Sequence, residues 1–263
     1  MALPPHASAW MDRAEIDYIG PFVKAWAAFN AWFRHASGHT QERAMLNFAL
    51  SDANSRLRRR GLPLLEAENQ TAEAAALKQA IFDLHLKLDA IHLEVTKKGQ
   101  TERISLRAVC ISPRSLQNEH TVSYGYTYRA ARVAGGSIEL TVTNQQGIVR
   151  FQHVQDRYAP ALVYELASFT TNLSVAQRQT FRQFYESCNP RPMRDLVQGG
   201  GPNLQVAAME FQCTPEDLLS GVVETIYSMR NALFHGEVDL DEQVLACYEP
   251  AYRIVICFLR LIE

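Results

Sequence analysis

Aromatic residues near the start of the chain limit most strongly what it can fold into. They recur at spacings of three and four, which puts them on one face of a helix: Tyr18, Phe22, Trp26, Phe29 and Phe33. Such a stripe needs a deep apolar partner, so we expect a buried helix over Asp12 to Arg34. Core packing explains these rings better than a surface on which bases stack.

The same periodicity predicts further helices on both sides of a central region. They are Thr40 to Arg59, ended by Gly61-Leu-Pro63, then Thr71 to Ala90, Pro160 to Asn172, Ser174 to Ser187, Thr214 to His235 and Asp239 to Leu261. Thr214-Pro215-Glu216-Asp217 is typical of a helix start, since Thr caps, Pro fits the first turn and acids suit the dipole. Gly236 is the natural end of that helix.

The central region, from Ile91 to Asp156, has a different pattern. Its short runs are rich in Val, Ile, Thr and Tyr, and Gly135-Gly136 and Asn144 to Gly147 lie where hairpin turns should fall. The expected fold is therefore mostly α within the α+β class. Residues 1–90 and 157–263 should form one helical bundle, and residues 91–156 should form a small antiparallel β insertion that interrupts it.

Charge and cysteine content narrow the functional classes. The 26 Lys and Arg residues nearly balance the 28 Asp and Glu residues, for a net charge of −2, so a contact with nucleic acid needs a local basic patch. The 5 cysteines are scattered and none forms a C-x-x-C pair, which is typical of a reducing compartment. The start has no leader pattern, and no apolar stretch reaches ~20 residues, so we expect a cytoplasmic protein with no membrane partner.

One late helical segment carries a set of residues suited to catalysis. On a helix, Asn231 and His235 share a face one turn apart, and Arg230 lies about 100° away at the edge of that face. The neighbouring Leu233 and Phe234 are expected to point into the core. The segment therefore offers a cation, an amide and an imidazole within one turn.

These residue types suit RNA cleavage by internal transfer. The 2′-hydroxyl must lose a proton and the 5′-oxygen must gain one, and an imidazole transfers protons near neutral pH. Arg230 can hold two phosphate oxygens at once, while Asn231 can orient the phosphate or the imidazole. His235 also lies at a helix C-terminus, where the dipole favours its protonated form.

The pattern Arg230-Asn231-x-x-x-His235 resembles the signature of the HEPN superfamily, in which a His follows an Arg near the end of a late helix. The first helix, with its Phe29-Asn30-Ala31-Trp32 segment, is similar to the aromatic first helix of some bacterial HEPN branches. The resemblance covers both helical ends of the chain. It does not explain the β insertion.

This resemblance implies a metal-independent endoribonuclease that needs no cofactor and serves as a toxin or antiviral defence effector. It also implies a homodimer, in which two such motifs meet at one cleft. Arg230 would stabilise the scissile phosphate, His235 would act as general base or acid, and Asn231 would position them. Besides RNA, an antitoxin or regulatory protein is an implied partner. Glu237 stands where one branch has a modifiable Tyr, which argues against silencing by that route.

Two other interpretations stay open. The first is a catalytically inactive HEPN scaffold that binds RNA or a protein. In such a scaffold His235 would only cap its helix, and Arg230 would pair with a nearby acid: Glu224, Glu237 or Asp239. The second is a regulatory protein in which the β insertion senses a ligand or a partner.

A compact basic run is a second candidate contact for RNA phosphates: Arg56, Arg58, Arg59 and Arg60. The commoner explanation of such a run is a solvated helix end. His35 and His39 have the spacing of metal ligands, but Gly38 should break the helix between them and no acid or thiol completes a set. We therefore predict no metal site.

Overall fold

The computed structural model describes residues 17–97 and 100–263, and these fall into two units. The helical unit comprises the described residues up to Ile111 together with Met193–Glu263, and the sheet unit comprises Ser112–Pro192. Helices predominate over small antiparallel sheets. The predicted α+β class is thus confirmed.

The helices described are, in chain order, α1 (Ile19–Ser37), α2 (Glu42–Ser51), α3 (Arg56–Leu65), α4 (Ala72–Ile91), α5 (Pro160–Tyr164), α6 (Ala167–Asn172), α7 (Val175–Ser187), α8 (Pro215–His235) and α9 (Glu242–Ile262). The strands described are β1 (Glu94–Lys97), β2 (Gln100–Arg103), β3 (Asn118–Ser123), β4 (Tyr126–Arg132), β5 (Ile138–Asn144), β6 (Val149–Gln155), β7 (Asn203–Val206) and β8 (Met209–Gln212). Strands β3 to β6 form one sheet, while β1–β2 and β7–β8 are separate hairpins.

The aromatic stripe of α1 lies in the core of the helical unit, as predicted. Phe22 meets Tyr248 of α9 edge to face, with ring centroids 5.2 Å apart, and Phe29 lies 5.8 Å from Phe258. Helix α9 also contacts α3 and α4, so it is the central helix of the unit. The predicted start of the first helix, before Asp17, lies outside the described residues.

The predicted single helix over Thr40 to Arg59 is wrong, because the structure has α2 and α3 there. The buried Ser55 hydroxyl donates to the Ala49 carbonyl at 2.6 Å and caps α3. Gly61 does not end α3, which continues to Leu65. A Cβ at Gly61 would lie 3.6 Å from the Leu261 side chain, which is ordinary van der Waals contact.

The sheet unit is an antiparallel meander in the order β3-β4-β5-β6, and it continues to Pro192, beyond the predicted end at Asp156. The physical reason is burial of apolar side chains from the following helices. Phe169 of α6 and Phe181 of α7 pack on Phe151 of β6, with ring centroids 5.5 and 5.7 Å away. Helices predicted to belong to the bundle therefore cover this sheet.

The described residues of the range 91–111 belong to the helical unit and not to the sheet unit. The stretch from Arg103 to Ile111 is mostly irregular and forms one isolated bridge, from Val109 to Arg194. The β7–β8 hairpin, which precedes α8, was not predicted.

A glycine inside α8 marks another close contact. A Cβ at Gly221 would lie 2.2 Å from Leu196 Cδ1 and 3.4 Å from Val109 Cγ1. Such a Cβ cannot be placed without moving its neighbours, so the glycine allows α8 to pack closely against these two residues.

Candidate functional site

Helix α8 begins and ends where the sequence predicted. The Thr214 hydroxyl caps its first turn, and Gly236, at φ 62°, ends it in the left-handed conformation. The Glu237 amide donates back to the Ala232 carbonyl at 2.9 Å. His235 is consequently the last helical residue.

One side of α8 is anchored in the core and the other carries the motif. Met229 is fully buried, and the Tyr248 hydroxyl donates to its carbonyl at 3.4 Å. On the other side, Arg230 and Asn231 are partly buried and His235 is exposed. The three predicted residues therefore lie at one polar edge of a well-held helix.

Glu42 of α2 joins this edge. Arg230 Nη1 donates to Asn231 Oδ1 at 2.8 Å and lies 3.5 Å from Glu42 Oε1. The Tyr227 hydroxyl donates to the other Glu42 oxygen at 3.1 Å. Burial raises the pKa of Tyr227, so its phenol stays protonated and keeps this donor. Sequence reasoning missed Glu42, because it lies far from α8 along the chain.

A second ion pair lies beside the first. Glu224, considered above as a partner of Arg230, is buried and pairs with Arg43 instead. The Arg43 guanidinium also lies over the Tyr227 ring, 5.0 Å from its centroid. Loss of Arg43 would remove the compensating charge from the buried Glu224 carboxylate, so these contacts help to hold α2 against α8.

The expectation that Phe234 points into the core is wrong, because its side chain is 50% exposed. Phe234 follows Arg230 by four residues and so lies on the same stripe of the helix. The Arg230 guanidinium lies over its ring, 4.7 Å from the centroid. Leu233, in contrast, packs on the core.

Arg230 is held mainly through one nitrogen. Its Nη1 serves both Asn231 and Glu42, whereas its Nε is buried without a hydrogen-bond partner among the described residues. A buried unpaired donor is costly, so a ligand that reorients the guanidinium and satisfies Nε would be favoured.

His235 makes no hydrogen bond or ion pair within residues 17–97 and 100–263. The backbone of Gly236 and Glu237 ends the helix, so the His235 side chain does not serve as its cap. Its exposed imidazole can therefore meet a bound molecule.

The basic run has a structural task that the sequence did not reveal. Arg56 Nη1 donates to the Ile262 carbonyl at 2.9 Å, and Arg60 Nη1 donates to the Leu261 carbonyl at 2.8 Å. These cations neutralise the carbonyl end of α9 rather than their own helix end. Arg58 donates to a carbonyl of α2, while Arg59 is exposed. An RNA contact by this run stays a prediction.

A partly buried ionic cluster in the helical unit also escaped sequence reasoning. Asp89 pairs with Arg103 at 2.8 Å and with Arg107 at 3.4 Å, and Arg107 lies 3.8 Å from Asp195. His85 is buried beside them, and its Nδ1 has no hydrogen-bond partner among the described residues. Burial lowers the pKa of His85, partly offset by the negative charge of Asp89. The signal available was the helical spacing of His85 and Asp89.

Other chemistry finds little support in the described part of the chain. Within it, no group of three or more His, Cys, Asp and Glu side chains is placed to hold a metal ion. Burial raises the pKa of Cys213 to about 12 and that of Cys247 to about 11, so these thiols are poor nucleophiles. No helix in the described ranges is both long and apolar enough to cross a bilayer.

Comparison with known proteins gives no relative from which to transfer a function. No family model matches the sequence, and no curated protein or solved structure is significantly similar to it. The HEPN resemblance consequently rests on the sequence alone, namely Arg230, Asn231 and His235 and the aromatic first helix.

Proposed function

We propose that this chain is a metal-independent endoribonuclease of the HEPN type, with Arg230, Asn231 and His235 as its site and the helical unit as a HEPN-like bundle. One observation carries the proposal: Arg230 and Asn231 are hydrogen-bonded at 2.8 Å on the polar edge of α8, and an unengaged, exposed His235 follows one turn later. A guanidinium, an amide and an imidazole are thus displayed together.

In the proposed reaction, the 2′-oxygen of RNA attacks the adjacent phosphorus. The bond from the 2′-oxygen to phosphorus forms while the bond from phosphorus to the 5′-oxygen breaks, leaving a 2′,3′-cyclic phosphate and a 5′-hydroxyl. His235 either accepts the proton of the 2′-hydroxyl or donates one to the leaving oxygen. Arg230 stabilises the charge that develops on the phosphate oxygens, and Asn231 orients the guanidinium.

A homodimer suits this chemistry, because each chain offers one His235 and the reaction moves two protons. Two copies with their α8 edges facing each other would supply both a base and an acid. A toxin or defence effector with an RNA substrate and a restraining protein partner is the biological setting that the resemblance implies.

One observation favours a second candidate, the catalytically inactive scaffold. Glu42 already compensates the charge of Arg230 at 3.5 Å, and Asn231 holds the same nitrogen. In a scaffold this network would only join α2 to α8. RNA or protein binding would then persist without cleavage.

The deciding experiment is cleavage of labelled RNA in EDTA by wild type and His235→Ala, with the new ends identified chemically. We expect wild type to leave 2′,3′-cyclic phosphate ends and the variant to lose roughly a hundredfold or more in rate, the usual contribution of a general acid or base. The matched control is His120→Ala, which alters an exposed histidine of the sheet unit.

Each outcome separates the candidates. Equal rates for wild type and His235→Ala would exclude His235 as the proton-transfer group. RNA binding by wild type without cleavage of any RNA tested would favour the scaffold. A fall in rate for His120→Ala as large as that for His235→Ala would point to an effect on folding, which circular dichroism would reveal.

A further inference from the structure

We propose that Phe234 is the base-binding residue of this site, stacking on an unpaired base next to the phosphate that Arg230 holds. The proposal rests on the proposed function and names its substrate class as RNA with accessible bases. It starts from exposure: of the 12 phenylalanines in the chain, all within the described residues, Phe234 is the one that is exposed.

Exposure alone does not indicate a binding residue, since single apolar side chains are common on protein surfaces. The second observation is the guanidinium of Arg230, which lies 4.7 Å from the ring centroid. This contact orders the ring on one side and leaves half of the side chain open to solvent. The result is an ordered π surface at the edge of the candidate site.

The position of the ring along the helix fits the same role. Phe234 immediately precedes His235, and its stacking partner Arg230 is the residue assigned to the phosphate. A base joined to that phosphate would lie beside the ring, whose π face accepts any base. Unpaired RNA bases are commonly held by stacking on aromatic rings and arginine planes, whereas a base inside a duplex cannot reach such a ring.

Binding of a short fluorescein-labelled single-stranded RNA, methylated at its 2′-hydroxyls to prevent cleavage, tests this by fluorescence anisotropy. Phe234→Ala should weaken binding roughly fivefold to a hundredfold, the range measured for stacking of one base. Phe234→Trp should restore it, since the π face is retained. The matched control is Leu240→Ala, which truncates another exposed apolar side chain on the same unit and should bind like wild type.

RNAs that each lack one base give a second measurement, which a purely structural role of Phe234 would not affect. Removing the base that contacts Phe234 should weaken binding to wild type but not to Phe234→Ala. Additive losses would overturn the stacking role. A change from dimer to monomer in Phe234→Ala, seen by analytical ultracentrifugation, would also overturn it and assign the ring to contact with a second copy.

The two proposals fail in different ways. If wild type neither binds nor cleaves single-stranded RNA, both fail. If wild type cleaves in a His235-dependent manner and Phe234→Ala binds as tightly as wild type, only the stacking role fails.

Discussion

The sheet unit packs its strands and helices around aromatic rings, whereas the helical unit keeps ionisable side chains in its interior. Phe151, Phe169 and Phe181 meet in the sheet unit. In the helical unit, His85 and Glu224 are buried. A buried ionisable side chain costs free energy of folding unless it is paired or neutral, so we infer that the helical unit gives up some stability at these two residues. The motif of α8 lies in that unit.

The largest expected effect concerns the aromatic core of the sheet unit. Phe181→Ala should lower the free energy of unfolding of the sheet unit by about 3–5 kcal/mol, the usual cost of truncating a buried phenylalanine. Urea unfolding followed by circular dichroism measures it. Buried Trp26 lies in the helical unit and contributes to tryptophan fluorescence. The unfolding transition followed by that fluorescence should therefore shift less than the one followed by circular dichroism. Val175→Ala, an exposed position on the same helix, is the control; equal shifts in both variants would contradict the assignment of Phe181 to the core.

A pH dependence of intermediate size should come from the helical unit. Burial lowers the pKa of His85 below its ordinary value of 6.5, so the imidazole becomes protonated at a lower pH in the folded protein than in the unfolded chain. The free energy of unfolding should therefore fall as pH drops from about 6.5 toward the lowered pKa, with the contribution intact above that window. The charged groups that act on the imidazole are Asp89, Asp195, Arg103 and Arg107.

His85→Gln cannot titrate, so its stability should decline less steeply between neutral and mildly acid pH. Chemical unfolding at several pH values measures the slope. His39→Gln, at an exposed position of the same unit, should keep the wild-type slope. An unchanged slope in His85→Gln would mean that other groups cause the decline.

The smallest expected effect concerns the role of Glu42 beside Arg230. If Glu42 competes with phosphate for Arg230, Glu42→Gln should tighten binding of single-stranded RNA about two- to fivefold, as expected from an ion pair worth up to about 1 kcal/mol. The measurement is anisotropy at low salt. Glu73→Gln removes the same charge from an exposed site on α4 and should have less effect. Weaker binding by Glu42→Gln would instead make Glu42 a residue that positions Arg230 for RNA.

Local signals let the sequence predict α8 well. Thr214 and Gly236 act within a turn of where they stand, so their spacing along the chain determines both ends of the helix. The capping box at Ser174 is of the same kind. Helical spacing likewise placed Asn231 and His235 on one polar face.

Long-range contacts explain what the sequence did not predict. Glu42 reaches Tyr227 across 185 positions of the chain, and no local pattern indicates such a pair. Periodicity gives the direction in which Phe234 points but not whether another element covers it, so its exposure was missed. Arg56 and Arg60 belong to a basic run, which suggested a contact with RNA. Their carbonyl partners on α9 lie at the other end of the sequence, so the sequence did not indicate that they bind the end of that helix.

The glycine at position 221 has a consequence for how the site could change over evolution. A helix is stiff along its axis, and His235 lies about 21 Å from Gly221 at 1.5 Å per residue. A methyl group added at Gly221 would collide with the Leu196 side chain. If Leu196 has no room to turn aside in the core, the helix must tilt, which moves the distant imidazole while every motif residue stays intact. A substitution at such a packing contact can therefore alter the geometry of the proposed site while Arg230, Asn231 and His235 all remain in the sequence.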